Sequence, residues 1–538
     1  MTAKTRYDRL SSDRSQFLNT ARQAADLTLP YLIREDETYS KGSLKLTTPW
    51  QSVGAKGVVT LASKLMLALL PPQTSFFKLQ VNDVNLPEEL GPEIRSELDL
   101  SFAKVERTIM ESIAASSDRV VVHQALKHLV VAGNALIFMG KEGLKLYPLN
   151  RYVVDRDGNG NVIEIVTKET ISKKLIKKNY PEFKEPQPNT PSDNSSRHDD
   201  ECDVYTHCTR DNNRWVWHQE VEDQMLSKSM SKAPLDANPW LVLRFNHVDG
   251  EVYGRGRVEE FIGDLKSLEA LSQALVEGSA AAAKIVFTVS PSSTTKPSTL
   301  AAAGNGAIIQ GRPDDIGVVQ VGKTADFQTA FAMVGTLSQR LSEAFLVLNV
   351  RQSERTTAEE VRMTQMELEQ QLGGLFSLLT EEFLRPYLAR TMLVLQRSGQ
   401  LPKIPKEYVR PQIVAGVNAL GRGQDQQSLT QFITTIAQTM GPEAIQKYIE
   451  PTEYLKRLAA AQGIDYLGLI KSPQQLQGDM QQQQQQATQQ SLVDQAGQLA
   501  SSPMADPSKN PNLNGDQEAQ ANPDGAGTDG GEGFNPPN

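Results

Sequence analysis

The string DRDGNGNVIEIV, residues 155–166, opens like a calcium loop, with Asp155, Asp157, Asn159 and Gly160 spaced to offer alternate oxygens to one hard cation. The acidic residue that should close the shell in bidentate fashion falls at Val166, and β-rich runs flank the loop where helices are required. A β-hairpin with a Gly/Asn turn is the better reading. HDDECDVYTHC, residues 198–208, gathers His198, Cys202, His207 and Cys208, all zinc-ligating types. Their spacing matches no common zinc pattern, and DVYTHC alternates as a strand does. No metal site is expected.

GRGRVEE, residues 254–260, has two glycines before a helix but lacks the third glycine and the strand–helix–strand context of a dinucleotide site, so it reads as a helix entry. The chain has no G-x-x-x-x-G-K-[ST] run, its six histidines are scattered, and no Ser/His/Asp set stands out. Paired acids such as Glu259-Glu260 and Glu359-Glu360 fall in first helical turns, where the helix dipole favours them without catalysis. No enzyme and no cofactor are expected. One charged stretch is left without an account: LNVRQSERTTAEEVR, residues 348–362, which holds Arg351 and Arg355 between two helical patterns.

The elements that would carry these residues belong to a chain of 538 residues with net charge −9, 39 % hydrophobic and 6 % aromatic. That length allows two to four compact units. The longest apolar stretch, LMLALL at 65–70, is far too short to cross a bilayer, and the polar N-terminus lacks a signal-peptide core. Two cysteines make no disulfide framework, so a reducing, cytoplasmic setting is expected. An acidic balance argues against wrapping nucleic acid tightly, while leaving room for passing contact.

Residues 1–32, 53–70, 93–116 and 119–132 read as helices; in the second, Val58, Leu61, Leu65 and Leu69 repeat at three and four. The period then shortens. ALIFM, LKLYPL, RYVVDRDGNGNVIEIVTKE, DVYTHCTR, RWVWHQEVE and WLVLRFNHV predict an antiparallel sheet, with 183–200 an exposed loop, so 1–250 reads as an α+β unit. From Gly254 a helix of about 25 residues, spanning about 40 Å, places Phe261, Leu265 and Leu268 on one face. Residues 284–323 predict a small insertion with strands KIVFTV, GAIIQG and GVVQVG, and 324–346 a second helix carrying Phe331, Leu337 and Leu341. Thr357 and Glu360 have capping-box spacing, which starts a further helix to about 397; Gly373-Gly374 and Pro386 predict bends in it. Residues 425–470 read as helical, and the Gln-rich and Pro/Asn/Gly-rich end, 471–538, as disordered.

TPWQSVGAKGVVTLASKLMLALLPPQTSFFKL (48–79), ALKHLVVAGNALIF (125–138), YVVDRDGNGNVIEIVT (152–167), DGEVYGRGRVEEFIGDLKSLEAL (249–271), RTTAEEVR (355–362) and LGRGQD (420–425) closely resemble, in order, blocks of the portal (head-to-tail connector) proteins of autographivirus-type short-tailed phages. The resemblance covers roughly residues 1–470. It implies an α+β portal fold: a wing at 1–253, stem helices at 254–283 and 324–346 around a clip at 284–323, a tunnel loop at 347–356, a long bent helix returning to the wing at 357–424, and a helical crown at 425–470. It also implies a dodecameric ring at one capsid vertex of the virion, assembled in the host cytoplasm. Double-stranded DNA would pass along its axis, without sequence specificity, during packaging and ejection.

The implied partners are the major capsid protein, the terminase large subunit, the tail adaptor and internal core or scaffolding proteins, with no membrane. Arg351 and Arg355, with Asn349 and Gln352, would face the channel, forming a basic constriction in an acidic conduit. Either arginine could instead pair with Glu354 or Glu359 of a neighbouring subunit. Phe261, Leu265, Leu268, Phe331, Leu337 and Leu341 are the expected subunit-contact residues of the stem. An ATP-driven DNA motor lacks its Walker motif here. The alternative is another structural phage protein, a head–tail adaptor or an internal scaffold; scaffolds are elongated, highly charged helical chains without the sheet-rich 135–250 region or a strand-tipped stalk.

Overall fold

A computed structural model describes residues 2–34, 47–71, 75–81, 92–181, 201–211, 213–282, 286–292, 296–304, 308–310, 316–319, 324–347, 374–402, 409–413 and 421–441, with single positions and one pair elsewhere up to 458. The chain divides into two units, Met1–Thr430 and Gln431–Asn538.

The first unit begins with α1 (Ala3–Asp26) and α2 (Val53–Leu69). The three-and-four repeat of α2 does what its spacing predicts: Val58, Leu61, Leu65 and Leu69 are all buried. Strand β1 (Phe77–Val81) follows, then α3 (Pro92–Ala115) and α4 (Asp118–Ala132). Helix α4 ends at Gly133, whose φ of 72° is left-handed. A Cβ there would meet the backbone of Arg255 and Gly256 at 2.5 Å. The Asn134 side chain fastens the same crossing: its Nδ2 donates to the Gly254 carbonyl (2.6 Å) and its Oδ1 accepts from the Gly254 N–H (2.7 Å). The glycines of GRGR therefore serve close backbone packing and a helix entry.

The single antiparallel sheet predicted for 135–250 is in fact two. After β2 (Asn134–Gly140) and β3 (Gly143–Tyr147) come β4 (Tyr152–Arg156), β5 (Val162–Ser172), the short helix α5 (Lys173–Asn179), β6 (Glu201–Asp211), β7 (Arg214–Val221), β8 (Gln224–Pro234) and β9 (Trp240–Arg244). One sheet has the order β3-β2-β9 and the other β4-β5-β6-β7-β8, all antiparallel. Strand β8 was not expected, because QMLSKSMSKAP lacks β-branched residues. It is set by its turn: Glu222 and Asp223 both have positive φ, 48° and 62°, the geometry of a tight hairpin. Lys228 and Lys232 then stand exposed on the edge strand, where charge discourages pairing with a foreign strand.

The helix predicted from Gly254 is broken. α6 (Arg257–Glu260) stops at Phe261, and α7 (Ile262–Ala282) starts anew. Between α7 and α9 (Thr324–Ala344) lie β10 (Val286–Val289), the helix α8 (Pro297–Ala302) and β11 (Ile316–Val319), with β10 and β11 antiparallel. Residues 308–310 of GAIIQG are not a strand.

Of the predicted long bent helix, 357–371 lie outside the described residues. From 374 the chain is helical and widens into a π turn at Thr380–Leu384 before α10 (Arg385–Arg397). Pro386 explains the bend: with no N–H to donate and a ring that crowds the carbonyl four residues back, it forces the preceding turn open. Strand β12 (Val409–Ile413) then pairs with β1, Phe77 opposite Ile413. Helix α11 (Gly421–Met440) includes the first described residues of the second unit. The loop at 184–200 and the tail at 471–538 lie outside the described residues, as does most of 442–470.

Candidate channel and subunit-contact surfaces

Helices α7 and α9 form an antiparallel hairpin. Asp264 near the start of α7 pairs with Arg340 near the end of α9 (2.9 Å), and the Phe327 ring lies against Gly278. The hairpin is tied to the segment before α2 by Glu269, whose carboxylate accepts from the backbone N–H groups of Trp50 (2.8 Å) and Gln51 (3.3 Å). The six apolar residues expected at subunit contacts divide along its length. Leu265, Leu268 and Leu341 are buried in the chain's own core, and Phe261 and Leu337 are partly buried against it. Those five are taken up, wholly or partly, by their own subunit. Phe331 is different: it is 73 % exposed, with Val276 and Met333 about half exposed on the same hairpin.

The C-terminal end of α9 is closed with care. Leu346 takes a left-handed φ of 57° although it is not glycine. Its N–H donates to the Glu343 carbonyl (3.0 Å), and the Val347 N–H reaches back to the Ser342 carbonyl (2.7 Å), which is the Schellman arrangement. Lys64 from α2 then donates to the Leu346 carbonyl (2.6 Å), placing a cation at a helix C-terminus where the dipole favours it. Phe345 and Leu346 are buried. Asn349, Arg351, Gln352 and Arg355, the channel candidates, lie beyond this anchor and outside the described residues.

The other residues singled out in the sequence are spent on contacts within the first unit. Asp157 accepts from the Asn159 and Asn161 N–H groups (3.0 and 2.7 Å) and from the Asn161 side chain (3.0 Å), so its carboxylate is committed to the hairpin turn. Asp155 and Glu164 hold Arg6 of α1 at 2.8 and 2.6 Å. His207 meets Glu164 at 2.5 Å, while Cys202 and Cys208 are buried in apolar clusters. Burial pushes the Glu164 carboxyl up, but hydrogen bonds from His207 and Arg6 outweigh it and hold the group below the usual 4.5. His128 on α4 is fully buried, and burial, helped by Lys127, lowers it from 6.5 to about 4.

Sequence reasoning missed a second polar centre at the π turn. Glu382 accepts from the Arg244 backbone N–H (2.8 Å), Nε (2.7 Å) and Nη2 (2.6 Å), and Arg156 stands 3.6 Å from the same carboxylate. The one signal for it was the Pro386 bend, which presents Glu382 to β9. Among the described residues, no helix is long and apolar enough to cross a membrane.

The family model for the bacteriophage head to tail connecting protein matches residues 1–469. The portal protein of Enterobacteria phage T3 is 39 % identical over 490 residues, covering 89 % of this chain and 90 % of that one. The portal protein of Escherichia phage T7 is 38 % identical over 492 residues, with the same coverage. Among solved structures, a chain from the virion of a native gene transfer agent particle aligns over 77 % of this chain and 90 % of its own, at 10 % identity and a TM-score of 0.36. With the connector model matching from the first residue to residue 469 and two portal proteins alike along nearly all of their length, the chain belongs to the bacteriophage head-to-tail connecting protein family.

Proposed function

We infer that the chain is a portal protein, a structural component of the head–tail connection, and that its copies form a ring whose axis is a conduit for double-stranded DNA. The family supports the role. The observation that carries the ring is the apolar outer part of the hairpin: Phe331 is 73 % exposed on a helix whose inner residues, Leu341 and Phe345, are buried. A neighbouring copy would cover it, since repetition of one contact about an axis closes a ring. In this reading 1–253 is the wing, α7 and α9 are the stem, the β10–β11 region is the clip, and 425–470 is the crown. The clip would dock the terminase large subunit and then the tail adaptor. The wing and crown would meet capsid and core proteins.

Residues 347–356 form the tunnel loop of this proposal, with Arg351 and Arg355 touching phosphates and reading no bases. The capped end of α9, fixed by Lys64, supports that placement because it gives the loop a rigid origin. Cryo-electron microscopy of the purified protein, averaged without imposed symmetry, tests the reading. A closed ring with 347–356 at the lumen is expected, and Arg351→Glu should then leave the ring intact while reducing packaged DNA. Monomers, or open filaments without a channel, would overturn the conduit.

A further inference from the structure

A cavity of about 680 Å³ opens in the first unit between the β4–β5 turn, β9, the π turn, α10 and β12. Four guanidinium groups line it, those of Arg156, Arg210, Arg244 and Arg385. Three carboxylates line it too, those of Asp236, Glu381 and Glu382. The surface pair is already matched, since Arg385 is bonded to Glu381. The interior sets two guanidinium groups against one carboxylate. The side chains of Arg156 and Arg244 are 4 % and 6 % exposed, and the two share Glu382.

Arg244 holds that carboxylate through its Nε, Nη2 and backbone N–H, and its Nη1 meets His247 Nδ1 at 3.0 Å. Arg156 reaches the carboxylate only at 3.6 Å. Its Nη1 and Nη2 donate to the Gly160 and Val242 carbonyls, at 2.8 and 3.4 Å, and its buried Nε has no partner. A guanidinium so deeply buried is costly unless an anion meets it. Its planar fork fits a carboxylate or phosphate oxygen pair better than any neutral partner.

We propose that this cavity is an oxyanion site: a phosphate sits against Arg156, with Arg210 at the exposed side. Trp215, Trp240 and Ile413 add apolar wall to the cavity. Burial holds Arg156 down at about 10 against the opposing pull of Glu382, and a bound oxyanion would reverse that shift. The site lies in the wing and does not depend on the channel reading.

The test uses the full chain in its isolated oligomeric state. Its thermal midpoint is followed in sodium phosphate against sodium chloride at equal ionic strength, and the cavity is inspected by cryo-electron microscopy in phosphate buffer. Free phosphate is supported by a saturable, phosphate-specific rise with compact density at Arg156. The rise should vanish in Arg156→Met, and its midpoint concentration should move up about tenfold in Arg210→Gln, whose exposed position leaves the fold untouched. A wild type that does not respond to phosphate overturns the proposal, including the case in which the map shows an Asp or Glu side chain of an adjacent copy on Arg156. A cavity holding only solvent or an apolar side chain overturns the proposal, as does a phosphate response that survives Arg156→Met.

Discussion

Helix α2 and the α7–α9 hairpin carry the same kind of apolar repeat and meet different fates. In α2, Val58, Leu61, Leu65 and Leu69 are all buried by the chain itself. In the hairpin, burial fades from the root outward as far as Phe331, while Phe327, a turn further, is half-buried against Gly278. Leu265 and Leu268 are closed off, Leu271 and Leu275 are half-buried, and Val276 is open; on α9 the series runs from buried Leu341 and Phe345 through half-buried Val334 and Leu337 to exposed Phe331. Periodicity reveals that a face is apolar. It does not say whose surface covers it.

Substitutions can separate the two regions. Leu265→Ala at the hairpin's root should behave as a core mutation and cost about 2–5 kcal/mol of folding stability, read by chemical denaturation. A loss confined to assembly would break the comparison. Acid should also act through the core, at α4. His128 binds its proton at 6.5 when unfolded and only at about 4 in the buried site. Between those values the unfolded chain takes up a proton that the fold refuses. Stability is therefore full above pH 6.5 and falls, by on the order of 3 kcal/mol, as pH drops towards 4. In His128→Leu that part of the acid slope should disappear from the thermal midpoints.

Phe331→Ala should leave the helix signal and midpoint of the dissociated chain unchanged. It should weaken assembly by about 1.5–3 kcal/mol per contact, visible as dissociation at lower dilution in mass photometry. Unchanged assembly would mean that the exposed face is not a subunit contact. The smallest effect belongs to the exposed pair at the hairpin root. Asp264→Asn, which breaks the bond to Arg340, should shift stability by less than about 1 kcal/mol.

The helices were legible because their apolar spacing is their physics: α2, α4, α7 and α9 lie where three-and-four repeats put them. The Asp157 turn was legible for a similar local reason, since the side chain bonds its own following N–H groups. What escaped depends on distant partners. β1 and β12 are five-residue runs that mean nothing until they meet, and β8 is polar, held by the turn at Glu222 and Asp223. The break at Phe261 is set by packing of its ring near Phe345 and under the Arg257 guanidinium. The Glu382–Arg244–Arg156 centre joins three segments far apart in sequence. Each arginine alone looks like an ordinary surface cation.

The pairing of β1 with β12 has a consequence in time. Phe77 leaves the ribosome early, yet its partner Ile413 is made only after the hairpin, its tip and α10. At about 5–20 residues per second, that interval is tens of seconds. Throughout it β1 lacks its ladder partner, and the exposed apolar face around Phe331 is made before β12 can arrive. The β1–β12 ladder is therefore a late event: it joins the chain's beginning to a segment made only after the hairpin that carries that face.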